Sequence, residues 1–212
     1  DMKKARQIST DNRVLFHRVA NSLSYLDIKT VVVSCGTCLD QIKDYQFDKI
    51  FPGSRIMDIH EDLMEKGMAV KNDSAVQYLY HDPCHSPMKL YDPIDVTEKL
   101  LGRPTLLSER CCGEAGTFAV SRADLASQVR VRKQDELHQS IEHLTGAKVA
   151  KKGEVKLLTS CPSCQQGLSR YRDDTGLDTD YIVVELAKQL LGNDWEKNFV
   201  HAAMHGGIEK VM

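Results

Sequence analysis

Every cysteine in this chain falls within the few residues that separate a strand-like run from a helix-like one. The seven cysteines are at 35, 38, 84, 111, 112, 161 and 164. The β-branched run Thr30-Val31-Val32-Val33 stops at Ser34-Cys35-Gly36-Thr37-Cys38. Residues 75–80 end in His81-Asp82-Pro83-Cys84-His85, and the short run 105–107 leads to Cys111-Cys112-Gly113-Glu114-Ala115-Gly116. Residues 155–159 run into Ser160-Cys161-Pro162-Ser163-Cys164. Between these lie stretches with helical spacing of apolar residues, at 2–22, 39–45, 59–66, 96–101 and 122–144. Residues 55–57 read as a weaker strand, and a strand at 181–184 with a helix at 185–191 closes the series. Strand, loop and helix in alternation specify an α/β fold with a mostly parallel sheet. In such sheets the strand carboxyl ends and helix N-termini share one edge, where ligands bind. Seven thiols are therefore expected along one edge of one sheet, where helix N-termini favour the thiolate form.

An odd cysteine count, with no apolar leader after Asp-Met-Lys-Lys-Ala, argues against an extracellular disulfide framework. It points to metal or redox chemistry in a reducing, cytoplasmic setting. The chain has 28 basic and 30 acidic side chains, a net charge of −2, which leaves no electrostatic footprint for nucleic acid. No apolar run is long enough to span a bilayer. The absence of an initiating Met suggests a fragment of a longer chain.

The sequence also repeats. Val33-Ser34-Cys35-x-x-Cys38 and Thr159-Ser160-Cys161-x-x-Cys164 lie 126 residues apart, and Tyr45 matches Tyr171 at the same offset. A strand and helix follow each, at 56–61 and 182–185. Two related halves are expected, joined near 68–74. The organisation reads as an incomplete first copy over 1–70, a complete second copy over 75–191 and a tail over 192–212.

Cys84, Cys111-Cys112-Gly113 and Cys161-x-x-Cys164 resemble the motif of the CCG family, the cysteine-rich domain found in heterodisulfide reductase. The domain also occurs in the iron–sulfur subunits of glycolate oxidase, anaerobic glycerol-3-phosphate dehydrogenase and lactate-utilisation oxidoreductases. His81-Asp82-Pro83-Cys84-His85 resembles the context of the family's first Cys, and Cys35-x-x-Cys38 resembles the end of a preceding copy. The 48-residue spacer from Cys112 to Cys161 is longer than the family's, with the excess near 146–153. The resemblance implies two Rossmann-like CCG subdomains, the first truncated, and an iron–sulfur cluster of cubane [4Fe-4S] or non-cubane type. It implies cluster ligands among Cys84, Cys111, Cys112, Cys161 and Cys164, with Cys35 and Cys38 belonging to the first copy. It further implies electron transfer in an FAD-linked hydroxy-acid dehydrogenase or heterodisulfide-reductase-like enzyme. FAD and ferredoxin-type clusters would lie on another part of the chain or on a separate flavoprotein partner, in the cytoplasm or at the inner face of the membrane. The fragment alone is expected to be inactive on substrate.

Two other chemistries fit the residues. Two CxxC pairs are a familiar zinc framework, although zinc-ribbon pairs are far closer in sequence than these and zinc leaves Cys84, Cys111 and Cys112 idle. Ser-Cys-Gly-Thr-Cys after a β run resembles a thiol–disulfide exchange site. Gly113 and Gly116 would let backbone N–H groups approach an anionic cofactor. His81 and His85 either bind that cofactor or brace their loop. Arg110 would offset thiolate charge or be solvated, and the run Arg130-Val131-Arg132-Lys133 reads as a wet helix face. His60, Glu61 and Glu185 are assigned to capping or bracing.

Overall fold

The computed structural model describes residues 1–25, 27–71, 74–114 and 118–206. The chain opens with α1 (Met2–Ser22), capped by the Asp1 side chain, which accepts from the Lys3 N–H. Then come β1 (Thr30–Val33), α2 (Gly36–Lys43), α3 (Phe47–Ile50), β2 (Arg55–Asp58) and α4 (Ile59–Glu65). β1 and β2 form a parallel pair, with Thr30 opposite Arg55 and Val33 opposite Asp58.

The second part runs β3 (Gln77–His81), α5 (Pro93–Leu101), β4 (Thr105–Ser108), α6 (Phe118–Ser121) and α7 (Ala123–Thr145). It continues with β5 (Val155–Thr159), α8 (Pro162–Leu168), a 3-10 turn at Ser169–Tyr171, α9 (Arg172–Thr175), β6 (Asp178–Tyr181), α10 (Ile182–Leu191) and α11 (Trp195–Gly206). Its sheet has the order β4-β3-β5-β6, parallel throughout. The fold is α/β with parallel sheets, as expected, and the strands divide into two sheets, so the seven cysteines do not share one sheet edge. Cys35 and Cys38 follow the smaller sheet; the other five cysteines follow the larger.

Other boundaries differ for physical reasons. The strand expected at 181–184 lies at Asp178–Tyr181, and Ile182-Val183-Val184 forms the first turn of α10. An apolar run that short fits a buried strand or a buried helix turn equally well. The polar stretch Asp178-Thr179-Asp180 is tolerated as a strand because β6 is at the sheet edge. The helix expected to follow Cys38 instead begins at Gly36, inside the CxxC. The region read as a tail, 192–212, contains α11, and residues 207–212 lie outside the described residues.

Side chains alternate across each strand, so β3 sends Tyr78 and Tyr80 to one face and Leu79 and His81 to the other. The first face packs with Val96, Leu100, Leu158, Ile182 and Leu186, from α5, β5 and α10. The second packs Leu79 with Leu137 and Ile141 of α7, Leu157 of β5 and Leu168 of α8. Cys112 and Cys164 belong to that second core. His81 therefore points from the last rung of the sheet towards the buried thiols.

Several contacts join the two parts, three of them close to the cysteine loops or well buried. Glu61 is almost wholly buried, and its carboxylate accepts from the Leu90 and Tyr91 N–H groups at 2.7 and 3.1 Å. It braces the partner loop rather than its own helix. The Tyr181 hydroxyl donates to the Ser34 carbonyl. Gly36 lies so close to the His85 carbonyl that a Cβ there would sit 1.7 Å from its oxygen.

Candidate metal centre

In the larger sheet the last rung runs Ser108, His81, Thr159, Tyr181 across the four strands. The chain leaves this rung into three loops, and each brings cysteine to the same place. Cys84 comes three residues after His81, Cys111 three after Ser108 and Cys161 two after Thr159. Cys84, Cys111, Cys112, Cys161 and Cys164 line one cavity of about 360 Å³. Cys112 and Cys164 are buried at its base, Cys111 and Cys161 are partly buried, and Cys84 is exposed at its mouth. The sulfurs are 3.3 Å apart for Cys112 and Cys164, and 4.0 Å for Cys84 and Cys111.

Hydrogen bonds from Cys164, helped by local backbone N–H groups, set which thiols are held low. Cys161 is the N-cap of α8, with extended dihedrals (φ −131°, ψ 122°), and Pro162 opens the helix. The Cys164 thiol bonds to it, and with the Cys164 and Ser163 N–H groups brings the Cys161 thiol down to about 6. A hydrogen bond from Cys164, aided by His81 and the Glu114 N–H, brings Cys112 down to about 4 against the opposing effect of burial. Cys164 carries the proton shared with Cys112 and Cys161, so its own thiol is pushed far up. Desolvation pushes Cys84 up, and the neighbouring Cys111 adds to this. Metal ligation requires thiolates, and two of the three inner sulfurs are poised in that form.

Gly113 adopts φ +76°, and its N–H donates to the Cys111 sulfur at 3.4 Å. Positive φ is the conformation that glycine adopts without a steric cost. Gly116 lies outside the described residues. His85 is exposed at the cavity mouth, with Nδ1 3.3 Å from the Asp40 carboxylate of α2. His81 is buried, and neither ring nitrogen has an oxygen or nitrogen partner. His81, Cys112 and Cys164 form the one group of three or more His, Cys, Asp or Glu side chains, among the described residues, able to share a metal ion, their ligand atoms lying within 4.8 Å. A buried imidazole facing sulfur, without a conventional partner, fits a bound metal or a cluster needing a donor.

Lys133 was not legible as part of this site. It is fully buried rather than on a wet face, and its ammonium donates to Ser108 and, at 2.7 Å, to Glu136. Burial pulls its pKa down, while Glu136 and the thiols of Cys112 and Cys111 oppose that. It supplies positive charge behind the inner cysteines; Arg110, the sequence-level choice, is exposed. The signal was present in the spacing. Ala126, Lys133, Leu137 and Ile141 are the buried positions of α7, and Lys133 falls on that stripe. Glu114, next to Gly113, is held by Arg170 at 2.6 and 2.9 Å, which ties the Cys-Cys-Gly loop to the segment after α8.

Cys35 and Cys38 do not line the cavity, although Thr37 between them does. Burial, then the adjacent Cys35, pushes the Cys38 thiol up.

The larger sheet and its thiol-lined edge define a parallel α/β metal-binding module. Residues 78–169 match the family model of the cysteine-rich domain, CCG, and contain all five cavity cysteines but neither Cys35 nor Cys38. Residues 169–212, including β6, α10 and α11, match a domain of unknown function, DUF3400. No curated protein and no solved structure matches the chain. Among the described residues, no helix is long and apolar enough to cross a membrane.

Proposed function

We propose that the cavity holds an iron–sulfur cluster and that the module carries electrons within a flavin- or quinone-linked oxidoreductase. The observation that carries this reading is the meeting of five cysteine sulfurs, from three separate loops, in one cavity. Thiolate is the ligand of such clusters, and hydrogen bonds to sulfur help set their potentials. The Gly113 N–H and the His81 ring are the groups suited to that tuning. When bound, the cluster would supply one-electron transfer. The protein's own contribution is to hold the thiolates, offset their charge through Lys133 and limit water at Cys112 and Cys164. Oxidation of a hydroxy acid or reduction of a disulfide would fall to other domains, an FAD-binding flavoprotein part and ferredoxin-type clusters, on the same chain or a partner. A cytoplasmic setting, or the inner face of a membrane, fits this role.

The buried set of His81, Cys112 and Cys164 favours a second reading, a zinc-stabilised structural module. Zinc takes four N and S ligands in such sites, and Cys161 could be the fourth. Anaerobic reconstitution with ferrous iron and sulfide, followed by visible absorption and EPR, separates the two. A sulfur-to-iron charge-transfer spectrum, lost in Cys112→Ser, is expected. One zinc per chain, retained unchanged through iron and sulfide treatment, would establish the structural module instead.

A further inference from the structure

The thiol pair outside the cavity has a different setting from the pair inside it. Cys35 is the N-cap of α2, with φ −151° and ψ 128°, the same extended backbone that Cys161 adopts before α8. Cys38 is the third residue of the helix, one turn on. That span is compatible with a disulfide, which needs Cα atoms roughly 4.4–6.8 Å apart. The two pairs share this geometry and differ in their neighbours. Cys161 and Cys164 face three further sulfurs, whereas, among the described residues, no group of three potential metal donors includes Cys35 or Cys38. Cys38 is exposed and Cys35 partly so. The loop is firmly held, because Ser34 accepts from Tyr181 and Gly36 abuts His85. Tyr181 ends β6, the strand beside the one that leads to the inner pair, and its hydroxyl reaches the loop of the outer pair.

We propose that Cys35 and Cys38 form a second redox site, a dithiol that exchanges with small-molecule disulfides at the rim of the metal-binding cavity. The exposed Cys38, as thiolate, attacks one sulfur of the incoming disulfide; a sulfur–sulfur bond forms to Cys38 and the first small thiolate leaves. Cys35, as thiolate, then attacks the Cys38 sulfur and releases the second. Two protein thiols are oxidised to one disulfide, the small disulfide is reduced to two thiols, and the two protein protons end on those thiols. The site needs no metal and stands independently of the cluster.

The test uses the whole chain in buffers of reduced and oxidised glutathione, read by alkylation and peptide mass. The expected result is a Cys35–Cys38 disulfide that appears over a narrow range of glutathione ratio, and a Cys35→Ser variant that retains one glutathione on Cys38. Metal per chain should be the same in Cys35→Ser and Cys38→Ser as in the parent. A peptide that stays fully alkylatable at every ratio would overturn the proposal, as would a Cys35→Ser variant that takes no glutathione. Loss of metal in either variant would also overturn it, because the pair would then be ligands. A parent that binds no metal would count against the cluster reading alone, since the disulfide is read separately.

Discussion

The stretch from Met2 to Glu65 and the stretch from Ala123 to Leu191 follow the same route. Each has a long helix, a strand, a CxxC at a helix N-terminus, short helices, a parallel strand and a helix that starts without a loop. Val33 lies opposite Asp58 in one, and Thr159 opposite Tyr181 in the other. Yet one CxxC sits in a five-sulfur cavity and the other does not. The difference lies in what flanks the first strand. β5 pairs with β3, and β3 with β4, and the loops after these two strands carry Cys84 and Cys111-Cys112. β1 pairs with β2 alone among the described residues. The long helices show the same contrast, since α7 buries four residues and α1 buries none. A CxxC on a helix N-terminus provides two positioned thiols, and neighbouring strands turn two thiols into a centre.

The largest expected effect tests whether the two stretches depend on each other. In Gly36→Ala the new methyl would lie 1.7 Å from the His85 carbonyl oxygen, a backbone atom that cannot move without shifting the Cys84 loop. We expect a loss of about 3 kcal/mol, read as a lower denaturant midpoint, together with weaker metal retention. Unchanged stability would mean that the first stretch is not seated on the second in solution, and the comparison would reduce to two independent modules.

Lys133→Met sharpens the contrast between the long helices and should have the next largest effect. It leaves Glu136 without its cation and removes positive charge behind Cys111 and Cys112. Glu136 is not fully buried, so the cost should be about 2 kcal/mol, below that of breaking a fully buried pair. The Cys112 thiol would also ionise less readily, so metal uptake should need a higher pH. A urea titration reads the first and metal binding against pH the second. If stability falls while metal uptake keeps its pH dependence, Lys133 serves packing alone.

How much of this was legible follows from the range over which each signal acts. Strand ends, CxxC positions and the alternation that directs His81 towards the thiols are local patterns, and the sequence displays them directly. Strand pairing is not local. Thr30–Val33 reads as a strand whichever neighbour it takes, so all seven cysteines were expected on one sheet edge, whereas Cys35 and Cys38 follow a separate pair of strands. The exchange of strand for helix at Ile182-Val183-Val184 has the same origin, because a three-residue apolar run has too few positions to show a period. Lys133 was missed because charge outweighed spacing in reading the run 130–133. Helix α11 was missed although Trp195, Phe199 and Ala202 are spaced as on one helical face.

The smallest effect concerns acid stability, and it follows from an exchange at matching places in the two stretches. Lys156 of β5, which corresponds to Thr30 of β1, reaches Glu185 of α10 at 2.6 Å. Burial tends to raise the Glu185 carboxyl, but Lys156, Gln189 and Tyr78 together outweigh it and hold the group below its ordinary value. Its contribution is therefore present above the pKa of the unfolded chain, and is lost as pH falls through the lower folded value. The first stretch has Asp62 instead, paired one turn on with Lys66, whose side chain is mostly exposed, an arrangement worth a few tenths of a kcal/mol. Glu185→Gln should lower stability by about 1 kcal/mol near neutrality, with the gap to the parent narrowing as the pH is lowered. Asp62→Asn should lower stability by only a few tenths of a kcal/mol at neutral pH. Thermal unfolding of both variants at neutral pH, with Glu185→Gln followed across the acid range, reads this directly. A larger loss in Asp62→Asn than in Glu185→Gln would place the stronger pairing in the first stretch and reverse the assignment.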